Sequence, residues 1–147
     1  MNTKSNRVAA IQMASGPNVG ANLLEAERLI SEAAEDGARL VVLPENFAFM
    51  GKRDQDVLTL REFDGEGPLQ AYLAKLATRY RLWIVGGTIP LHSRQPGRVR
   101  AACLVFNEKG ERVARYDKFH LFDVNIPGAD ERYEESSTIE PGNDIIV

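Results

Sequence analysis

One cysteine, one tryptophan and two histidines are all that 147 residues hold of those types. A single Cys103 excludes an internal disulfide framework and a multi-cysteine metal site. His92 and His120 are too isolated to suggest a metal pair. His92 reads as exposed loop, and His120 as a packed, hydrogen-bonded ring near Lys118. No apolar run approaches the roughly 18 residues of a membrane span, and no secretory leader precedes the first strand-like run. Charge of neither sign dominates: 18 Lys and Arg stand against 21 Asp and Glu, for a net charge of −3 and a pI of about 5.5. That balance gives no reason to expect nucleic acid or an anionic membrane as partner. Phosphate-loop, dinucleotide, HExxH and GxSxG patterns are missing, as are repeats and low-complexity tracts. The default expectation is a cytoplasmic chain, and no cofactor or metal is implied.

What is present is ordinary in amount, with 44% hydrophobic and 27% charged residues. The length suits one domain, residues 1–147, with a real core. Arg7 to Met13 reads as a first strand. Ala14 to Asn18 is a loop, and Val19 to Glu35 a helix. Val19, Leu23, Ala26, Ile30 and Ala33 make its apolar stripe, Asn18 is its N-cap and Gly37 its left-handed stop. Leu40 to Leu43 is an unbroken aliphatic run, as in a strand buried on both faces. Strand, helix and strand with short joints form a βαβ unit.

Asn46 to Glu66 has no clear period and reads as a long loop with one helical turn near Asp56–Arg61. Its Phe47, Phe49 and Met50 either wall a pocket or pack on the core. Gly67-Pro68 opens a second helix, with Leu69, Tyr72, Leu73, Leu76, Ala77 and Tyr80 on its buried face. Leu82 to Thr88 reads as another buried strand ending in a glycine pair, and Ile89 to Arg98 as a polar connection. Val99 to Phe106, a turn at Asn107–Gly110, and Glu111 to Tyr116 make a β-hairpin. An irregular stretch follows, through Pro127-Gly128. Asp144 to Val147 looks like a strand just beginning.

Two residues stand out chemically. Pro44 ends the aliphatic strand, so Glu45 sits at its C-terminal rim, where sites collect in layered α/β folds. A carboxylate leaving an apolar sheet is partly desolvated, which suits a general base; a surface Glu closing a strand is the alternative. Lys118 follows the hairpin amid Tyr116, Phe119, Leu121 and Phe122. It is either exposed or held in a pocket, where its charge would stabilise negative charge growing on oxygen. Glu135, in an acidic pair with Glu134, is the weaker third candidate.

Leu43-Pro44-Glu45 and the run from Tyr116 to Asp123 resemble the nitrilase superfamily of carbon–nitrogen hydrolases. Val8 to Met13 fits as well. His120 to Gly128, Glu135-Ser136 and Pro141-Gly142 resemble its amidase branch, which includes ω-amidase and deaminated-glutathione amidase. The resemblance implies an αββα four-layer sandwich, of which this α/β chain is the N-terminal portion. It further implies a Glu–Lys–Cys set acting on a small linear amide, with no cofactor or metal. By that resemblance Glu45 is the base, Lys118 the oxyanion stabiliser and Glu135 the glutamate that places the lysine and the substrate amide. The family's nucleophilic cysteine lies beyond the Asp144 segment. Cys103 sits in a hairpin strand and reads as inert. The chain is therefore expected to be a truncated and inactive amidase portion. A catalytically inactive binding module of the same fold is the alternative. Family members assemble into homo-oligomers, and an uncovered sheet face predicts self-association or aggregation.

Overall fold

The computed structural model describes residues 6–125 and 132–146. Strand β1 (Arg7–Ala10) leads through a loop to helix α1 (Val19–Glu35). The Asn18 side chain accepts from Ala21 N at the start of α1, and Gly37 takes a φ of +83° just past its end. Ala26, Ile30 and Ala33 are its buried stripe. Strand β2 (Ala38–Val42) follows, then the long loop, which carries a 3-10 helix at Asp54–Leu60. Helix α2 (Pro68–Tyr80) begins on its proline. Gly67 has no side chain to cap it. The buried Glu62 carboxylate does so instead, accepting from Leu69 N and Gln70 N. A carboxylate there satisfies orphan N–H groups and complements the helix dipole.

Strands β3 (Trp83–Val85), β4 (Ile89–His92), β5 (Val99–Phe106) and β6 (Arg112–Asp117) complete one six-stranded sheet. β1, β2 and β3 run parallel, while β5 lies antiparallel to β3, β4 and β6. Both helices pack on one face and share a core with Val41, Ile84, Leu104 and Phe106. The Tyr72 hydroxyl donates to Leu23 O at 2.6 Å, which ties the helices together. A small hairpin of β7 (Asp123–Asn125) and β8 (Arg132–Glu134) stands apart from the sheet. A 3-10 turn at Glu135–Ser137 follows it.

Several expectations need correction. β2 is buried on one face only: Val41 is fully buried, whereas Leu40 and Val42 are half-exposed. Trp83 of β3 is exposed on that same outer face. Strand alternation turns Leu40, Val42, Trp83, Val85, Cys103 and Val105 away from the helices. Ile89–His92 is a strand with a buried Ile89-Pro90-Leu91 core, not a polar connection. β4 lies at the sheet's end, and its Pro90 carbonyl accepts from Glu62 N outside the strand set. Sheet edges are where proline is tolerated. The stretch after Lys118 is partly a hairpin, and residues 143–146 form no strand. His120 is exposed, its ring edge-on to Phe119. His92 stacks on Phe63 with ring centroids 4.1 Å apart. The Pro127-Gly128 loop lies outside the described residues.

Candidate active site

Three strand ends point their chemistry to one place. β2 stops at Val42, and Leu43 N still donates to Val85 O of β3 at 2.9 Å. Pro44 then turns the chain, and Glu45 emerges at the C-terminal rim of the parallel strands. Lys118 comes one residue after β6. Its N–H donates to Ala101 O and its carbonyl accepts from Gly142 N, both at 2.9 Å. Glu135 begins the 3-10 turn after β8, and its carbonyl accepts from Thr138 N and Ile139 N. The following segment is pinned along β5: Val99 N donates to Thr138 O, and Glu140 N to Val99 O. Arg100 bonds the Glu140 carboxylate, and the Ser93 hydroxyl donates to its other oxygen.

The Lys118 ammonium donates to Glu45 Oε1 at 2.9 Å and to Glu135 Oε1 at 2.8 Å. The second oxygen of Glu135 accepts from Phe122 N at 2.6 Å, so that carboxylate is used on both sides. Glu45 Oε2 has no partner among the described residues. Burial pulls the lysine pKa down, but the bonds to Glu135 and Glu45 outweigh it and leave Lys118 above its ordinary value. It is a fixed cation at neutral pH. The site is less dry than the apolar strand suggested. Lys118 is 23% exposed, yet the Glu45 side chain is 50% exposed.

The three residues line one cavity of about 340 Å³, within the range of small-molecule sites. Phe49, Met50 and Val57 of the long loop wall one side, and Phe122, just before β7, and Tyr133 of β8 another. The two alternatives for the loop aromatics divide: Phe47 is core, while Phe49 and Met50 face the cavity. Arg53, Asp54 and Thr138 also line it, and no sequence motif marks them. Phe122 and Tyr133 pair at 5.7 Å between ring centroids, a contact that three-residue strands give no pattern to foresee.

Cys103 does not line the cavity. It is half-buried on β5, and burial pushes its thiol pKa up. Among the described residues, no group of three or more His, Cys, Asp and Glu is arranged to hold a metal ion. No described helix is long and apolar enough to cross a membrane. A cation clamped between two carboxylates, beside a cavity, offers three functions to a ligand. They are an acceptor for a proton at Glu45, a positive charge for an oxygen, and a polar anchor for an amide N–H.

Comparison with known proteins identifies the family. The carbon-nitrogen hydrolase family model matches residues 7–147. A deaminated glutathione amidase of Yersinia enterocolitica is 38% identical over 145 residues, which cover 98% of this chain and 50% of that protein. The chloroplastic omega-amidase of Arabidopsis thaliana is 37% identical over 124 residues, 82% of this chain and 33% of its own. The crystal structure of the C. elegans NitFhit protein superposes with a TM-score of 0.74 at 28% identity, over 95% of this chain and 34% of that one. The chain spans about half the length, or less, of the curated relatives it matches. Matched over nearly its whole length, and sharing the fold of nitrilase-superfamily structures, the chain belongs to the carbon-nitrogen hydrolase family.

Proposed function

We propose that residues 1–147 form the acid–base and oxyanion portion of an amidase centre that hydrolyses a small linear amide. An ω-amide of a dicarboxylate is the favoured substrate class. The observation that carries the reading is the Lys118 ammonium held between Glu45 and Glu135 at the wall of a cavity. In this reading Glu45 takes the proton of a cysteine thiol as sulfur bonds to the amide carbon. The carbonyl π pair moves to oxygen, where Lys118 meets the negative charge. Collapse of the adduct breaks the C–N bond, and the nitrogen takes the proton from Glu45 and leaves as ammonia. Water, deprotonated by Glu45, then splits the thioester and returns the thiol. Glu135 keeps Lys118 in place and accepts from the amide N–H₂.

The thiol has to come from outside these residues, because Cys103 stands on β5 away from the cavity and burial keeps its proton on. The chain alone is therefore inactive. That observation also favours a second reading, a catalytically inactive module that keeps the pocket and binds amides. The test is an ammonia-release assay of the chain alone and of the chain extended through its downstream reading frame. Activity only in the extended polypeptide supports the enzyme; amide binding without turnover in both supports the module. We place the protein in the cytoplasm and expect it to self-associate through sheet or helix faces. The outer sheet face with exposed Val8 and Trp83 supports that expectation.

A further inference from the structure

Glu45 is half-exposed, so packing does not hold its side chain. Something else has to aim it. A residue's direction is set by the two peptide planes that flank its Cα, and here both planes meet one dipeptide in the connection between β3 and β4, Gly87-Thr88. The plane before Glu45 carries the Pro44 carbonyl. It lies so close to Gly87 that a Cβ there would stand 2.0 Å from Pro44 O. Gly87 also has a φ of +57°, which glycine adopts without strain. The plane after Glu45 carries the Asn46 N–H, which donates to Thr88 Oγ1 at 2.9 Å. The same hydroxyl donates to Asn46 Oδ1 at 3.4 Å. Asn46 itself is left-handed, with φ +55°, one of two non-glycine residues so placed among those described. Asparagine adopts that conformation more readily than other non-glycine residues, and here the Thr88 hydroxyl bonds both its N–H and its side chain.

We infer that Thr88 is a positioning residue for Glu45: its hydroxyl locks the Glu45–Asn46 peptide and so points the carboxylate at Lys118. The inference rests on the proposed function, in which Glu45 is the base. Thr88 does not line the cavity and touches no reacting atom; it acts through Glu45 alone. The close approach of Gly87 crowds one plane and a hydrogen bond holds the other, so the side-chain torsions of Glu45 are the main freedom that remains. The bond to Lys118 takes up that freedom. Loss of the hydroxyl releases the second plane and leaves a backbone N–H without its acceptor. A misplacement of about 1 Å is enough to disable a site of this kind.

The test reads the titration of Lys118 in the full chain by NMR of lysine labelled at Cε. It does not depend on turnover, so failure of the amidase reading appears in the ammonia assay and not here. Glu45→Gln moves the Lys118 midpoint down by removing one carboxylate. Thr88→Val, nearly isosteric but without the hydroxyl, moves it down by a comparable amount, and Thr88→Ser restores the wild-type midpoint. If Thr88→Val fails to fold, Thr88→Ala removes the same hydroxyl and is read the same way. A wild-type midpoint in Thr88→Val beside a lowered one in Glu45→Gln overturns the inference. So does an equal drop in Thr88→Val and Thr88→Ser, since the hydroxyl is then not the cause. A midpoint unmoved by Glu45→Gln removes the pair on which it stands.

Discussion

The Lys118 ammonium lies 2.9 Å from Glu45 although 73 residues separate them in the chain. The sheet is what closes that distance. β2 delivers Glu45 to the rim, and β5 and β6 carry Lys118 back to it through the bond from Lys118 N to Ala101 O. Glu135 reaches the same ammonium from the 3-10 turn after β8, so the ammonium is shared by two carboxylates.

That sharing has an alkaline signature. Lys118 keeps its proton above its ordinary range because its bonds to the two glutamates outweigh the burial that opposes them. A folded pKa above the unfolded one stabilises the fold fully below the unfolded value. The contribution is lost as pH rises through the folded value. Thermal melts between about pH 9 and about pH 12 should show a Tm that falls more steeply in the wild type than in Lys118→Met. Parallel curves for the two proteins would mean that the lysine gains nothing from its partners.

The Gly87 corner has a steric signature. Alanine at Gly87 places its Cβ 2.0 Å from Pro44 O at a φ of +57°, which should cost about 3 kcal/mol in urea unfolding. Gly97 is the control. It has a φ of +76° but nothing within 4 Å of a Cβ, so Gly97→Ala should lose about 1 kcal/mol from strain alone. Equal losses at the two sites would show that the contact with Pro44 is not the cause.

Glu62 is a buried carboxylate with a purely structural task. It caps α2 through Leu69 N and Gln70 N, and the Gln70 amide donates to it at 3.0 Å. Glu62→Ala strips these donors of their acceptor and should lower stability by about 2 kcal/mol. Glu62→Gln, which keeps one acceptor oxygen, should lose less. Denaturant midpoints for the pair check the order.

Cys103 should be slow. Burial raises its thiol pKa, and the thiolate is the reactive form. A soluble disulfide reagent at neutral pH should label it about tenfold more slowly in the folded chain than in urea. Cys103→Ser should leave any amide hydrolysis by the extended polypeptide unchanged. A loss of turnover in that variant would make Cys103 part of the chemistry and contradict the mechanism.

Much of this architecture is visible in the letters, and the exceptions have physical reasons. The strand ending in Leu43-Pro44-Glu45 and the hairpin before Lys118 are local patterns, and they appear where the residues put them. α1 and α2 follow from their caps and stripes, with both ranges as read. β4 was hidden because Pro90 argues against a strand unless the strand closes a sheet, and sheet order is not a local property. The β7–β8 hairpin was hidden because three-residue strands carry no period. Glu45 is wetter than the unbroken Leu40–Leu43 run implies, because the helices of this chain cover only one face of β2 and a strand's own letters do not say which faces its neighbours cover. Glu135 looked like an ordinary loop acid. Its contact with Lys118 depends on the segment pinned to β5 by Glu140 and Arg100, which no short motif encodes.

The most direct measurement is ammonia release from a small linear amide by the chain extended through its downstream frame, compared with its Glu45→Gln and Lys118→Met variants. The account predicts turnover in the extended polypeptide and none in the chain alone. It also predicts a loss of about 10²-fold or more in kcat for each variant. Turnover that survives both substitutions, or release by the 147 residues unaided, would contradict it.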